Sequence, residues 1–170
     1  MMATVRRLHA VSEADIDGLA EVLFDVVAGG ASVSFMHPFP RERAAAFWRN
    51  VADGVHAGTR ALLVAEDEHG LCGTVQLVYD LPENQPHRAD LAKMLVHRRA
   101  RRRGIGDALL KAAEQTAREL GKTVLVLDTA SADAERLYER NGWVRLGTIP
   151  DYALLPEGGF CDTIVFYRRL

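Results

Sequence analysis

Several features that would mark a specialised class of protein are scarce or missing in this chain. Its 170 residues include only two cysteines, Cys72 and Cys161, so we expect buried free thiols in a reducing compartment rather than a disulfide-stabilised fold. No apolar run approaches the roughly 20 residues of a membrane span, and the N-terminus lacks the apolar core of a secretion signal. The formal net charge of -2 gives no overall attraction to nucleic acids or anionic membranes. These absences predict a cytoplasmic protein with neither kind of partner.

Residue combinations for metal or covalent chemistry are lacking as well. No group of His, Cys and carboxylate residues has the spacing of metal ligands, so no metal site is expected. No sharp-turn serine motif is present, and neither cysteine lies in a setting that would activate a thiol. Any group transfer by this chain is therefore expected to be direct, without a covalent enzyme intermediate.

Hydrophobic patterning predicts one α+β domain over residues 1–170. Antiparallel hairpins come first and a strand–helix–strand crossover follows, which indicates a mixed sheet flanked by helices. Between the first two helices lies an apolar, proline-stopped segment, 31–39, which we expect to pack as a loop against another element or a substrate. The predicted strands are 4–8, 60–66, 71–79, 88–97, 123–127, 143–149 and 163–168, and the predicted helices are 12–27, 40–57, 107–120 and 131–140.

The most informative segment runs from Leu91 to Gly106. An apolar strand is followed by five arginines among the seven residues 97–103, and a Gly-x-Gly sequence then opens a helix. Gly104 and Gly106 keep side chains away from a helix start whose first N–H groups lack partners. Such a helix start attracts anions, and guanidinium groups suit phosphate oxygens. The segment therefore predicts a pyrophosphate-binding loop.

Other kinds of binding site that have a strand, a glycine-rich loop and a helix in this order fit the sequence less well. A P-loop requires a lysine after its last glycine, where this chain has Asp107. A dinucleotide-binding fold would use Asp128, about 20 residues downstream, but Leu109 stands where the third glycine belongs and the turn is too long. A nucleic-acid site would need interleaved aromatic residues or a second basic face. A solvated arginine-rich loop is the plain alternative.

The sequence Arg101–Gly106 resembles the cofactor loop Arg/Gln-x-x-Gly-x-Gly/Ala of the GNAT superfamily of N-acetyltransferases. The match continues with Leu95 and Val96 before the loop, and with Ala134, Leu137, Tyr138 and the Asn-Gly-Trp turn at 141–143 after it. The resemblance covers about residues 60–170 and implies the GNAT acyl-CoA N-acyltransferase fold, a three-layer α/β/α arrangement with a mixed, mostly antiparallel sheet. Segments at 29–36, 88–93 and 127–129 are similar to tabtoxin-resistance acetyltransferases, which acetylate the amine of a β-lactam toxin.

That resemblance implies acetyl-CoA as co-substrate. The strand before the loop would hold the pantetheine arm, with one backbone N–H polarising the acetyl carbonyl. The loop would hold the pyrophosphate, and one or more arginines, left open by the sequence, would meet the 3′-phosphate. Ser131 stands where the family often has an asparagine that touches pantetheine. The implied cofactor contacts are Met94, Leu95, Val96, Arg101, Arg102, Arg103, Gly104, Ile105, Gly106, Asp107 and Ser131.

Three residues are candidates for the proton transfers of acetylation. Tyr138 is the candidate acid, because a phenol with a pKa of about 10 stays protonated beside a leaving thiol with a pKa of about 8.5. Asp128 is the candidate base or orienting group for the amine, with Asp90 as its partner. The alternatives are that Tyr138 merely packs on the sheet, that Asp128 caps the next helix, and that Asp90 pairs with Lys93 or an arginine.

The acceptor site is expected to involve Ser32, Phe35 and Met36, with Trp48, Tyr79 and Tyr152 as further aromatic candidates. The favoured function is acetylation of a small-molecule amine such as a toxin or antibiotic. Acetylation of a protein N-terminus or lysine, and CoA binding without turnover as a regulatory module, are the alternatives. The sequence identifies neither the acceptor nor the oligomeric state, and a homodimer stays open.

Overall fold

A computed structural model describes residues 2–170 and contains one seven-stranded sheet with helices on both faces. The strand order is β1-β2-β3-β4-β5-β7-β6, with β4 and β5 parallel and every other neighbouring pair antiparallel. This mixed, mostly antiparallel α+β architecture confirms the predicted fold class. In chain order the elements are β1 (Thr4–Leu8), α1 (Glu13–Ala28), α2 (Arg41–His56), β2 (Arg60–Asp67), β3 (Gly70–Val78), β4 (Arg88–Val96), α3 (Ile105–Glu119), β5 (Val124–Thr129), α4 (Ala132–Arg140), β6 (Val144–Leu154) and β7 (Phe160–Arg169).

Two apolar cores, one on each face of the sheet, create the three layers. Successive residues of a strand point to opposite faces, so Leu62 packs with α1 and α2 while Leu63 packs with α3. Trp48 of α2 is completely buried in the first core and Phe166 of β7 in the second. Burial of large apolar side chains at both interfaces is the main force that holds the helices on the sheet.

The element boundaries follow local capping chemistry. Ser12 caps α1 as predicted: its hydroxyl accepts from the Asp15 N–H at 3.1 Å, and the Asp15 carboxylate accepts from the Ser12 N–H at 3.0 Å. Helix α3 begins at Ile105, earlier than predicted, because Gly104 adopts a left-handed conformation with φ 76° and serves as its N-cap. Pro40 is the residue before α2 rather than part of its first turn. A 3₁₀ turn, Arg98–Ala100, was not predicted.

Strands β4 and β5 separate after a short parallel ladder. They pair only through Arg88, Ala89 and Asp90, which lie opposite Val124, Leu125 and Val126. Beyond Asp90, β4 keeps its pairing with β3 but has no β5 partner in the described residues. A bulge follows, since Gln76 lies opposite Ala92 and Thr74 opposite Leu95. This gap between two parallel strands sits at the centre of the sheet.

The structure also bears on membrane-spanning helices, metal sites and disulfides. No helix in residues 2–170 has the length and apolar character needed to cross a bilayer. Over the same residues, no three His, Cys, Asp or Glu side chains come together as a metal site would require. Cys72 and Cys161 are both free thiols; Cys72 is buried, whereas Cys161 is only half-buried.

Candidate active site

Two carboxylates lie on one face of the sheet beside the gap between β4 and β5. Asp90 is opposite Val126, two residues before Asp128. Their neighbours Ala89 and Leu127 belong to the core under α3, so alternation directs Asp90 and Asp128 to the face that α1 and α2 cover. The strand register thus brings together the two acidic residues that the sequence singled out.

Each carboxylate has one clear partner. The Thr163 hydroxyl donates to Oδ2 of Asp128 at 2.8 Å, while Asp128 stays exposed. Asp128 does not cap α4, because the Ser131 hydroxyl takes that position and accepts from the Ala134 N–H at 3.3 Å. Asp90 pairs with the guanidinium of Arg88. The helix-capping alternative for Asp128 is therefore wrong, and the arginine alternative for Asp90 is correct.

Tyr138 of α4 packs in the core on the other face of the sheet, the face that α3 covers. It is only 3% exposed, and its ring lies 5.6 Å from that of Trp143 and 5.7 Å from that of Phe166. Its hydroxyl nevertheless makes no hydrogen bond to any of residues 2–170. Burial, together with the negative charge of Asp128, raises the pKa of Tyr138 above its ordinary value. The phenol is therefore protonated at neutral pH and has a free donor.

Lys93 is a residue at this gap that the sequence did not assign to the site. It lies in the bulge of β4 with φ 50°, and its Nζ donates to the Ser34 hydroxyl at 3.0 Å. Burial lowers the pKa of Lys93, while the carboxylate of Asp128 opposes this effect and Arg60 reinforces it. The sequence named Lys93 only as a possible partner of Asp90 and as part of the similar segment 88–93, although a charged residue inside the apolar run LAKMLV was a further signal.

The segment 31–39 joins β4 to the hairpin of β6 and β7. The Ser32 hydroxyl donates to the Leu154 carbonyl at 3.3 Å, and the His37 N–H donates to the Pro156 carbonyl at 2.9 Å. Phe35 stacks with Phe39 and Phe47 at 4.6 and 5.3 Å between ring centroids, and Met36 is 36% exposed. Trp48, in contrast, is buried in the core and lines no open cleft.

Three of the five loop arginines are tied to carboxylates of distant elements. Asp67, at the end of β2, has a side chain only 1% exposed; it accepts from Arg99 at 2.7 and 2.9 Å and from Arg103 at 3.0 Å. These hydrogen bonds, chiefly those from Arg99, hold the pKa of Asp67 far below its usual range. Arg98 donates its backbone N–H and its Nε to Asp25 of α1 at 2.8 and 2.9 Å. The loop is therefore clamped to β2 and α1.

The other two arginines flank the open start of α3. Arg101 and Arg102 are exposed, and Arg102 forms no ion pair with a described residue. No side chain caps α3, and the first bond within the helix runs from the Ala108 N–H to the Gly104 carbonyl at 3.0 Å. The N–H groups of residues 105–107 consequently have no partner inside the helix, as an anion-binding helix start requires.

Asp107 and Gly106 join this helix start to α4. The Asp107 carboxylate accepts from Lys111 at 2.7 Å and from the Asn141 amide at 3.0 Å. These bonds lower the pKa of Asp107. A Cβ at Gly106 would lie 3.3 Å from a methyl group of Leu137, so the glycine permits close helix packing. Asp107 thus has a positioning role through its side chain, and its backbone N–H remains available.

Comparisons with known proteins agree with this architecture. The acetyltransferase (GNAT) domain family matches residues 58–145. An uncharacterized N-acetyltransferase of Azospirillum brasilense is 31% identical over 127 residues, which is 74% of each chain.

Solved structures show the same fold. A ribosomal-protein-alanine N-acetyltransferase from Brucella melitensis superposes with a TM-score of 0.81 at 24% identity, covering 98% of this chain and 99% of that one. A phosphinothricin acetyltransferase from Sinorhizobium meliloti, solved with acetyl-CoA, also has a TM-score of 0.81, at 20% identity over 100% of this chain and 89% of that one. The chain belongs to the GNAT family and is a GNAT-type acetyltransferase.

Proposed function

We propose that this enzyme transfers the acetyl group of acetyl-CoA directly to the amine of a small molecule, within a complex of both substrates. The proposal depends on two groups near the gap between β4 and β5. They are a buried Tyr138 whose hydroxyl has no partner among residues 2–170, and the exposed carboxylate of Asp128, whose charge acts on it. One group keeps its proton and has a free donor, and the other is a carboxylate that can accept a proton. Amine acetylation needs one group of each kind.

Two features support binding of the donor at this gap. The edge of β4 beyond Asp90 lacks a β5 partner, so Met94, Leu95 and Val96 can offer backbone groups to an extended pantetheine arm, as in strand addition. The loop that follows ends at the uncapped start of α3, which suits a pyrophosphate. Acetyl-CoA would supply a thioester whose thiol is a good leaving group.

The protein's own residues account for the proton movements. Asp128, oriented by Thr163, would hold the acceptor amine and take its proton, directly or through a water, with Asp90 beside it. The Tyr138 hydroxyl would donate to the departing sulfur, since its raised pKa keeps the proton available until a thiolate develops. Ser131, whose hydroxyl accepts from the Ala134 N–H as the cap of α4, would still have its O–H proton and a second lone pair for the donor.

The acceptor side favours a small amine over a polypeptide. Segment 31–39 is bonded to Lys93 at one end of the gap and to the β6–β7 hairpin at the other, so it crosses the acceptor face. A polypeptide acceptor needs an open groove along the surface, whereas a small amine can fit beneath a segment that passes over the site. The phosphinothricin acetyltransferase among the structural neighbours acts on a small molecule, and we favour an acceptor of this toxin or antibiotic type.

Thiol release from acetyl-CoA over a panel of small amines, peptides and protein N-termini tests the proposal. We expect turnover with small amines and none with peptides. Tyr138→Phe should bind CoA as the wild type does while turning over far more slowly. Turnover with peptides alone would contradict the proposed acceptor class. CoA binding without turnover on any acceptor would instead indicate a regulatory module.

A further inference from the structure

Lys93 is a cationic side chain beside the gap that forms no direct ion pair with a described residue. It sits in the bulge that follows the last pairing of β4 with β5, and its side chain extends to the face that holds Asp90 and Asp128. Its contacts are neutral: the Ser34 hydroxyl at 3.0 Å and the ring of Phe47, whose centroid lies 5.8 Å from Nζ. Hydroxyl oxygens and aromatic faces suit an ammonium ion.

No carboxylate among residues 2–170 forms an ion pair with Lys93. Asp128 acts on it only at longer range, and Asp90 is paired with Arg88. Withdrawing a cation from water without a counterion is costly, so an anion supplied by a ligand would stabilise the Lys93 ammonium. Lys93 therefore has room for an ion-pair partner, and the acceptor molecule could supply it.

The backbone around this contact is held in an uncommon conformation. Lys93 has φ 50° and its partner Ser34 has φ 84°, and neither residue is glycine. Non-glycine residues with positive φ cost energy, and they persist where the surrounding structure imposes them, often at functional sites. The two residues with this conformation are also the two partners of the hydrogen bond between the Lys93 ammonium and the Ser34 hydroxyl.

We propose that the Lys93 ammonium binds a carboxylate of the acceptor, so that the enzyme selects amines that also carry a carboxylate. The inference rests on the proposed small-molecule function and narrows its substrate class to amino acids and related zwitterions. Asp128 would receive the ammonium end of such a molecule and Lys93 the carboxylate end. A protein lysine, whose neighbouring carboxylate is tied up as an amide, would not satisfy Lys93.

The test compares each acceptor with a partner that lacks only the negative charge. The panel consists of the common L-amino acids, β-alanine and γ-aminobutyrate, each with its carboxamide. For each pair, the ratio of kcat/KM for the acid to that for the amide is measured in wild type, Lys93→Met and Lys93→Arg. Lys93→Gln serves as a second neutral variant, and melting temperatures check folding. Comparing ratios between proteins cancels the intrinsic difference in amine basicity within a pair.

We expect wild type to favour acids, and Lys93→Met and Lys93→Gln to lower the acid-to-amide ratio by about tenfold or more, mainly through KM, as loss of a charged hydrogen bond implies. Lys93→Arg should keep most of the preference. An acid-to-amide ratio that is the same in wild type and both neutral variants would overturn the role of Lys93 and leave the proposed function standing. No turnover by wild type on any small amine would overturn both.

Discussion

The Thr163 hydroxyl donates to Oδ2 of Asp128 at 2.8 Å, from a strand that is itself the antiparallel neighbour of β5. Thr163 is 2% exposed, so its position is set by the sheet rather than by solvent. Asp128 in contrast is exposed toward the gap. A buried donor that holds an open carboxylate leaves the second oxygen free to meet an amine.

Asp128→Asn should lower kcat by about 10²- to 10⁴-fold, because the amide has the same shape but cannot accept the proton of the amine. Affinity for CoA should be unchanged, which equilibrium titration would measure. Thr163→Val, which removes only the orienting bond, should lower kcat by about tenfold, with Thr163→Ser as the matched control that keeps the hydroxyl. Equal activity of Thr163→Val and wild type would show that this bond does not position the carboxylate.

Tyr138→Phe should separate catalysis from folding. The hydroxyl has no partner among residues 2–170, so removing it should leave the melting temperature unchanged, while ring contacts with Trp143 and Phe166 persist. Turnover should fall by about 10²- to 10⁴-fold for loss of a general acid. The loss of turnover should be larger for thioester donors whose thiol is a poorer leaving group than for donors whose thiol is a better one. A variant that keeps full turnover would remove Tyr138 from the acid role.

The parts of this architecture that depend on neighbours in sequence were predictable. Ser12 and Asp15 are three residues apart, and Gly104 and Gly106 open α3 directly, so local patterns located α1 and the uncapped start of α3. The order of strands and helices along the chain and the α+β class followed from periodicity in the same way. Even so, the start of α3 was placed two residues late, because the conformation of Gly104 decides it.

The ion pairs that the loop arginines form with distant carboxylates could not be predicted from local sequence patterns. Arg98 meets Asp25 across 73 positions, and Arg99 and Arg103 meet Asp67 across 32 and 36. From sequence alone all five arginines looked equally available to a phosphate. Lys93 was overlooked for a related reason: its exposure at the gap depends on a bulge, with positive φ, that lysine rarely adopts.

Asp67→Asn should destabilise the protein by about 2 kcal/mol at neutral pH, because charged hydrogen bonds to Arg99 and Arg103 are lost. The folded-state pKa of Asp67 lies far below the ordinary 3.8. Its contribution is therefore complete above about pH 4 and declines as pH falls toward the folded-state value. Denaturant unfolding of wild type and Asp67→Asn from pH 7 to pH 3 should show that their free energies of unfolding become more similar at the acid end. Glu68→Gln, a change at the exposed neighbouring residue, is the control.

The arginines of the loop should divide into two groups when they are replaced singly by alanine. Arg101 and Arg102 are exposed beside the open start of α3, whereas Arg99 is bonded to a buried carboxylate. We therefore expect Arg102→Ala and Arg101→Ala to weaken CoA binding with little change in melting temperature. Arg99→Ala should lower the melting temperature, since it leaves Asp67 with fewer donors in a buried position.

Comparison of CoA with 3′-dephospho-CoA identifies which arginine meets the 3′-phosphate. A residue that binds this phosphate should lose its effect on affinity when the phosphate is absent, whereas one that supports the pyrophosphate should weaken both ligands equally. Because the interaction is between exposed charges, the effect should also shrink as salt rises. If neither Arg101→Ala nor Arg102→Ala changes the ratio of the dissociation constant for 3′-dephospho-CoA to that for CoA, neither arginine holds the 3′-phosphate, and Arg103 is the next variant to measure. Arg103 is also bonded to the Asp67 carboxylate. If Arg103 holds the phosphate, Arg103→Ala should lower both the melting temperature and the ratio of the two dissociation constants, a combination that no other loop arginine should produce.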